Sequence, residues 1–152
     1  MSISTKVLLS AVSPSGRLAR LMIFPYHRFV MQHDPLSPNS PTQERFERQL
    51  RWIKHFCNPL PLSEAVERLH SGSLPARAAS LTFDDGYENN LSIAGPLLKK
   101  YRVPATIFVA VDAVERGIMW NDLIIEAVRG AGDEIDASAC GEGTIALDDS
   151  NR

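Results

Sequence analysis

The chain has 152 residues, 44% hydrophobic and 22% charged, which is enough apolar material for one ordinary domain with a packed core. A formal net charge of -2 leaves no electrostatic surplus for gripping nucleic acid or an anionic membrane surface, so neither is an expected partner. No stretch is long and apolar enough to span a bilayer, and the run from Lys6 to Val12 falls short of a secretory core, so a cytoplasmic location is expected. Cys57 and Cys140 stand far apart without metal-site or redox spacing, and both read as free thiols.

Residues 1–20 are small, polar and irregular, and are expected to form a flexible N-terminal arm. Leu21-Met22-Ile23-Phe24, ending at Pro25-Tyr26-His27, reads as a buried strand that stops near a proline, with His27 at its exit. Residues 31–41 form a Pro/Ser/Asn-rich loop. Ser40-Pro41-Thr42-Gln43 then has the features of a helix start, with Ser40 as cap and Pro41 in the first turn. Phe46, Leu50, Ile53 and Cys57 follow on one face, while Glu44, Arg45, Glu47, Arg48 and Arg51 form a solvated one. Asn58-Pro59 and Pro61 break the chain, and Ser63 is expected to cap a shorter helix burying Ala65, Val66 and Leu69 before Ser71-Gly72.

Ala78 to Phe83 reads as a second strand that delivers Asp84-Asp85-Gly86 at its carboxyl end. The spacing predicts a helix with Leu91, Ala94, Leu98 and Tyr101 inward, kinked or restarted near Pro96. Thr106 to Val111 is a further strand, and strand-helix-strand in this order implies a parallel crossover. Trp120-Asn121-Asp122 precedes a short helix through Leu123, Ile124, Ala127 and Val128, closed by Gly130. Residues 131–152 read as an irregular tail or the start of an insertion.

Ligands of α/β sheets gather at the carboxyl ends of strands, where Asp84 and Asp85 lie. Adjacent side chains at a strand end diverge, so two neighbouring acids divide the labour: one holds a cation, the other takes a proton from water. The division has an energetic basis. A divalent ion lowers the pKa of bound water from about 15.7 toward roughly 7, within reach of a carboxylate that is otherwise a feeble base at a pKa of about 3.9. Two other readings remain open on the residues alone: plain turn or cap chemistry before Gly86, and an acidic phosphoryl-transfer pocket.

Leu81-Thr82-Phe83-Asp84-Asp85-Gly86-Tyr87 resembles the first signature of the polysaccharide deacetylases, the NodB-homology group or carbohydrate esterase family four. Tyr26-His27-Arg28 looks like that family's first strand. Residues 41–56 and Pro61-Leu62-Ser63-Glu64-Ala65 look like its lead-in, and Val103 to Val109 looks like the strand after the signature. The resemblance runs from about Leu21 to Arg129, making residues 21–130 the N-terminal part of such a domain. It implies an α/β fold, an incomplete distorted (β/α) barrel, and a metal-dependent hydrolase that removes N-acetyl groups from a hexosamine-containing polysaccharide or its precursor.

Carried over residue by residue, the resemblance makes Asp84 the general base and Asp85 a ligand to a divalent metal, usually zinc. The family completes that site with two histidines from a later H-x-x-x-H-like motif, and no such pair exists here: His27, His33, His55 and His70 all precede the signature. The expectation is therefore a catalytic centre left incomplete by this chain, with a non-catalytic carbohydrate-contacting or scaffold module as the alternative. Uncovered sheet edges imply self-association. His27 reads either as an added ligand or carboxylate-orienting group, or as an ordinary hydrogen-bonded histidine. His55 and His70 are helix-end residues, Tyr87 borders the site or packs, and Trp120 stacks on a sugar or packs beside a helix cap.

Overall fold

The computed structural model describes residues 3–138 and 141–146; Cys140 lies outside them. The described residues form two compact units, one lying within residues 1–33 and 39–110, the other within residues 34–38 and 111–152.

The first unit is built on a parallel sheet: β1 (Met22–Tyr26), β2 (Asn58–Pro59), β3 (Ala78–Phe83) and β4 (Ala105–Ile107). β3 pairs with β1 from Met22↔Ala79 to Tyr26↔Phe83, with β2 at its start and with β4 at its end. The carbonyls of Arg77, Ala79 and Phe83 accept from Asn58, Leu60 and Phe108, so β2 and β4 share the same edge of β3. All six β3 residues are buried, the polar Ser80 and Thr82 among them, as in a strand covered on both faces. The signature strand and the one that follows it are thus adjacent and parallel, as the strand-helix-strand order predicts, and β1 lies parallel on the other edge of β3. β2 is an addition, because Asn58-Pro59 looked only like a chain break. Pro59 is tolerated in a strand of two residues at a sheet edge.

Helices α2 (Gln43–Phe56) and α4 (Gly95–Tyr101) meet the sheet through one cluster that includes Tyr26, Phe29, Phe46, Leu50, Ile53, Leu81, Phe83, Leu97 and Val103. Phe46 lies edge-on to Tyr26, Phe29 and Phe83, with ring centroids 5.0, 5.0 and 5.8 Å away. Glu47 of α2 accepts from Lys100 Nζ and Tyr101 Oη, both at 2.7 Å, and ties α2 to α4. Those donors, Lys100 first, hold the Glu47 carboxyl below the usual carboxylate range. Its contribution to stability is therefore present at neutral pH and lost as pH falls through that range.

α2 begins later than the sequence suggests. Pro41 directs its carbonyl to the Val30 N–H, and Thr42, rather than Ser40, is the cap, accepting from the Arg45 N–H at 3.3 Å. The next helix, α3 (Leu62–His70), starts after Pro61 with no side-chain cap and buries Ala65, whereas Val66 and Leu69 are exposed. The first twenty residues also depart from the expected irregular arm: α1 spans Ile3–Val12. Arg77 supplies the reason, donating to the Lys6 carbonyl and to Ser10 Oγ from 71 and 67 residues away in sequence.

Between β3 and α4 the chain forms a wide π turn over Asn90–Ala94. An i→i+5 turn takes in one residue more than an α turn and shifts the helical phase. Asn90 consequently faces inward and Leu91, expected inward, is 74% exposed. Regular helix begins at Gly95, with Pro96 in its first turn, where the missing N–H costs nothing.

The second unit carries α5 (Val111–Arg116), α6 (Trp120–Gly130) and a hairpin of β5 (Glu134–Asp136) and β6 (Thr144–Ala146). The hairpin lies within the stretch expected as an irregular tail or the start of an insertion, of which residues 139–140 and 147–152 lie outside the described residues, and β4 ends at Ile107, short of the predicted Val111. Within this unit Arg129 pairs with Asp34 and Glu126. Among the described residues no helix is long and apolar enough to cross a membrane.

Because Phe46 is fully buried at the junction of three other rings, Phe46→Ala should lower unfolding free energy by about 3–5 kcal/mol in urea titrations. Trp52→Ala, on the exposed face of the same helix, should change it by less than about 1 kcal/mol.

Candidate functional site

The last rung of the β1–β3 ladder is the Asp84 N–H donating to the Tyr26 carbonyl at 2.8 Å. Beyond it the chain turns sharply. Asp85 and Gly86 both take left-handed backbone conformations, with φ of 72° and 75°. Such a φ at a residue with a Cβ costs roughly 1–2 kcal/mol, and aspartate is among the residues that tolerate it best. Two rungs from the far side hold the turn: Phe108 N–H to the Phe83 carbonyl at 2.8 Å, and Ala110 N–H to the Asp85 carbonyl at 3.2 Å. Gly86 is required for a second reason, since a Cβ there would lie 3.1 to 3.3 Å from Val109.

Both acids are partly exposed at the carboxyl end of the central strand. Across from them, His27 leaves β1 so that its Nε2 lies 4.0 Å from Asp84 Oδ2, with side chains 59% and 36% exposed. That separation is the outer limit of an ion pair and too long for a direct hydrogen bond. Arg28 places its guanidinium carbon 5.9 Å from the centre of the half-buried Tyr87 ring. A cleft of about 400 Å³ opens beside β1, walled by His27, Arg28, Asn39, Ser40, Arg45 and Gln49 among others, and its wall does not include Asp84 or Asp85. Burial pushes the Tyr26 phenol in that wall up to about 12, opposed by the nearby Arg45 charge.

His27, Asp84, Asp85 and Tyr87 are therefore gathered by two strand exits of the first unit. Trp120 belongs to the second unit, where it opens α6 and is 69% exposed, in contrast to the packed residue of the cap reading. His55 and His70 lie in the last turns of α2 and α3, as expected of helix-end residues. Cys57 is a half-buried free thiol, and burial raises its pKa.

Among the described residues no three His, Cys, Asp or Glu side chains come together to hold a metal ion. Asp84, Asp85 and His27 are the candidate donors of this region, and His27 stands 4.0 Å from Asp84. One residue of this region escaped the sequence reading. The Asn89 side chain accepts from the Phe29 N–H at 3.2 Å and donates to the Phe29 carbonyl at 2.9 Å. No local pattern marks it, because its partner lies sixty residues away.

Residues 71–138 match the family model described as polysaccharide deacetylase. The chain is 39% identical over 71 residues to the poly-beta-1,6-N-acetyl-D-glucosamine N-deacetylase of Staphylococcus aureus (strain MSSA476), covering 46% of this chain and 24% of that protein. To the protein of the same name from Staphylococcus epidermidis it is 34% identical over 98 residues, covering 55% of this chain and 34% of that one. The structure of IcaB from Ammonifex degensii superposes with a TM-score of 0.50 at 26% identity, over 64% of this chain and 39% of IcaB. The chain thus spans about a quarter to a third of the length of these curated relatives, and its α/β sheet corresponds to part of the deacetylase fold.

Gly86→Ala combines a left-handed φ with a tight contact at 3.1 to 3.3 Å, whereas Gly16→Ala combines a similar φ with ordinary contact at 3.7 Å. In thermal melts Gly86→Ala should cost more stability than Gly16→Ala, and adding Val109→Ala should recover part of the difference; equal costs would show that Val109 does not press on the turn.

Proposed function

We propose, on the premise that residues 71–138 belong to the polysaccharide deacetylase family, that this chain supplies the acid pair of a metal-dependent N-deacetylase acting on a polymer of N-acetylated hexosamine. The observation that carries the reading is the placement of Asp84 and Asp85 on a strained turn at the carboxyl end of a fully buried strand, opposite His27. Asp-Gly also serves a plain turn with two left-handed residues, so what favours the reading is the place of the pair at the carboxyl end of a buried central strand. In this reading Asp84 takes the proton of the attacking water and Asp85 is a ligand to a divalent cation, with zinc the expected ion. Among the described residues no group of three metal-binding side chains is assembled around the pair. The names of the staphylococcal relatives favour a β-1,6-linked N-acetylglucosamine polymer as substrate.

That no three metal-binding side chains meet among the described residues favours a second reading, a non-catalytic module that contacts carbohydrate without hydrolysing it. Tyr87, beside the turn of the first unit, is a surface such contact would use, and the exposed indole of Trp120 is a separate one within the second unit. Uncovered apolar residues at the sheet, Ile23, Phe108 and Val109, favour self-association of the isolated chain.

Zinc titrated into the chain should bind at about millimolar strength and lose even that in Asp85→Ala. Micromolar binding that disappears in Asp85→Ala would mean that the chain completes its own site. An N-acetylated β-1,6-glucosamine oligomer should shift the backbone resonances of residues 84–87 and 27, and its de-N-acetylated counterpart should not; no shift with either defeats the carbohydrate reading. Acetate release with added zinc should be undetectable, and release abolished by Asp84→Asn would establish the hydrolase while overturning the incompleteness. Sedimentation should show concentration-dependent association, weakened in Ile23→Lys.

A further inference from the structure

We infer that Asn89 is a positioning residue whose side-chain amide locks the exit of β1 to the segment following the acid pair, and that this lock keeps the His27 ring beside Asp84. The inference rests on the proposed role of that pair, and it concerns what holds the two strand exits together.

Past the rung between Asp84 and Tyr26, the β1–β3 ladder offers no further register. Residues 27–30 have no regular structure, and residues 84–89 form a turn and the entry to the π turn. His27 is exposed, and the 4.0 Å separation from Asp84 is too long to fix the imidazole by itself. Something else must hold the exit of β1. Phe29, two residues beyond His27, is 4% exposed, and its ring packs against Phe46 and Phe83 at 5.0 and 6.1 Å. Ring packing fixes the side chain of Phe29 but leaves its peptide groups to find partners, and a buried peptide N–H or C=O without one is costly.

Asn89 supplies both partners at once. Its Oδ1 accepts from the Phe29 N–H at 3.2 Å and its Nδ2 donates to the Phe29 carbonyl at 2.9 Å, which reproduces across sixty residues the exchange that two paired strands make. Only a primary amide of this length offers one acceptor and one donor side by side. Aspartate keeps the acceptor but sets a carboxylate oxygen against the Phe29 carbonyl, and alanine has neither group. Arg28 over Tyr87 adds a third link in the same span, between the residue that follows His27 and the residue that follows Gly86. The next residue, Asn90, is 2% exposed with both amide atoms unpartnered among the described residues, so the neighbouring asparagines are not interchangeable.

The test uses the whole chain and three proteins: wild type, Asn89→Ala and Asn89→Asp. In the wild type, the His27 ring protons should show nuclear Overhauser contacts to the Asp84 β-protons, and the Phe29 amide should exchange slowly. In Asn89→Ala the contact should vanish and Phe29 exchange should accelerate about tenfold or more, with the Leu81 amide of β3 still protected. Asn89→Asp, which keeps one of the two hydrogen bonds, should fall between and serves as the deciding variant if the alanine protein loses Leu81 protection. A full-strength His27–Asp84 contact in a variant that retains Leu81 protection overturns the inference. Manganese added to the wild type reads the proposed function separately. Selective broadening of the Asp84 and Asp85 β-protons supports a cation at the pair, and its absence counts against that reading while the Overhauser arm still decides the role of Asn89.

Discussion

The two neighbours of the acid pair are set by the burial of β3. All six of its residues are inside, one edge is committed to β1 over five residue pairs, and the other is divided between β2 and β4. A strand buried on both faces and paired on both edges has no freedom of register, because a slip of one residue would exchange the faces of Leu81 and Phe83 with those of Ser80 and Thr82. Ser80 is matched to its own side by a hydrogen bond to the Leu60 carbonyl, so a slip would also strand a buried hydroxyl. With the register set, the chain leaves the sheet at Asp84 and nowhere else.

Just past β3, a relaxed backbone and a useful position are in conflict. Asp85 and Gly86 accept left-handed conformations, and a Cβ at Gly86 would sit 3.1 to 3.3 Å from Val109, which would have to give way. The rungs from Phe108 and Ala110 over-determine the turn and hold it in place. The compensation comes from the aromatic cluster beneath, where Tyr26, Phe29, Phe46 and Phe83 join the ends of both strands to α2. Stability in the core and strain at the exit are thus adjacent in the chain, an arrangement common at sites that bind or react.

The match of residues 71–138 to the polysaccharide deacetylase family model gives this arrangement a chemical context, while no three metal-binding side chains meet among the described residues. The acid pair and His27 come from two strand exits that are tied by side chains rather than by the sheet. A site of this kind is tunable through the ties: a change at Asn89 or Tyr87 acts on the geometry of His27 and Asp84 without touching either.

The sequence by itself determined β1, β3, the parallel order and the location of the acid pair. Each is written in short contiguous signals, apolar runs bounded by proline, aspartate and glycine, that need no distant partner to be read. It also determined the inner face of α2 through Phe46, Leu50 and Ile53, because helical spacing is a local property. Tertiary structure decided the rest. The π turn that rotates Asn90 inward and Leu91 outward, the strand at Asn58-Pro59, the ordering of α1 by Arg77 and the grip of Asn89 on Phe29 all depend on groups distant in the chain or on packing around them. No periodicity encodes such pairs, since the free energy that selects them exists only once the two segments have met.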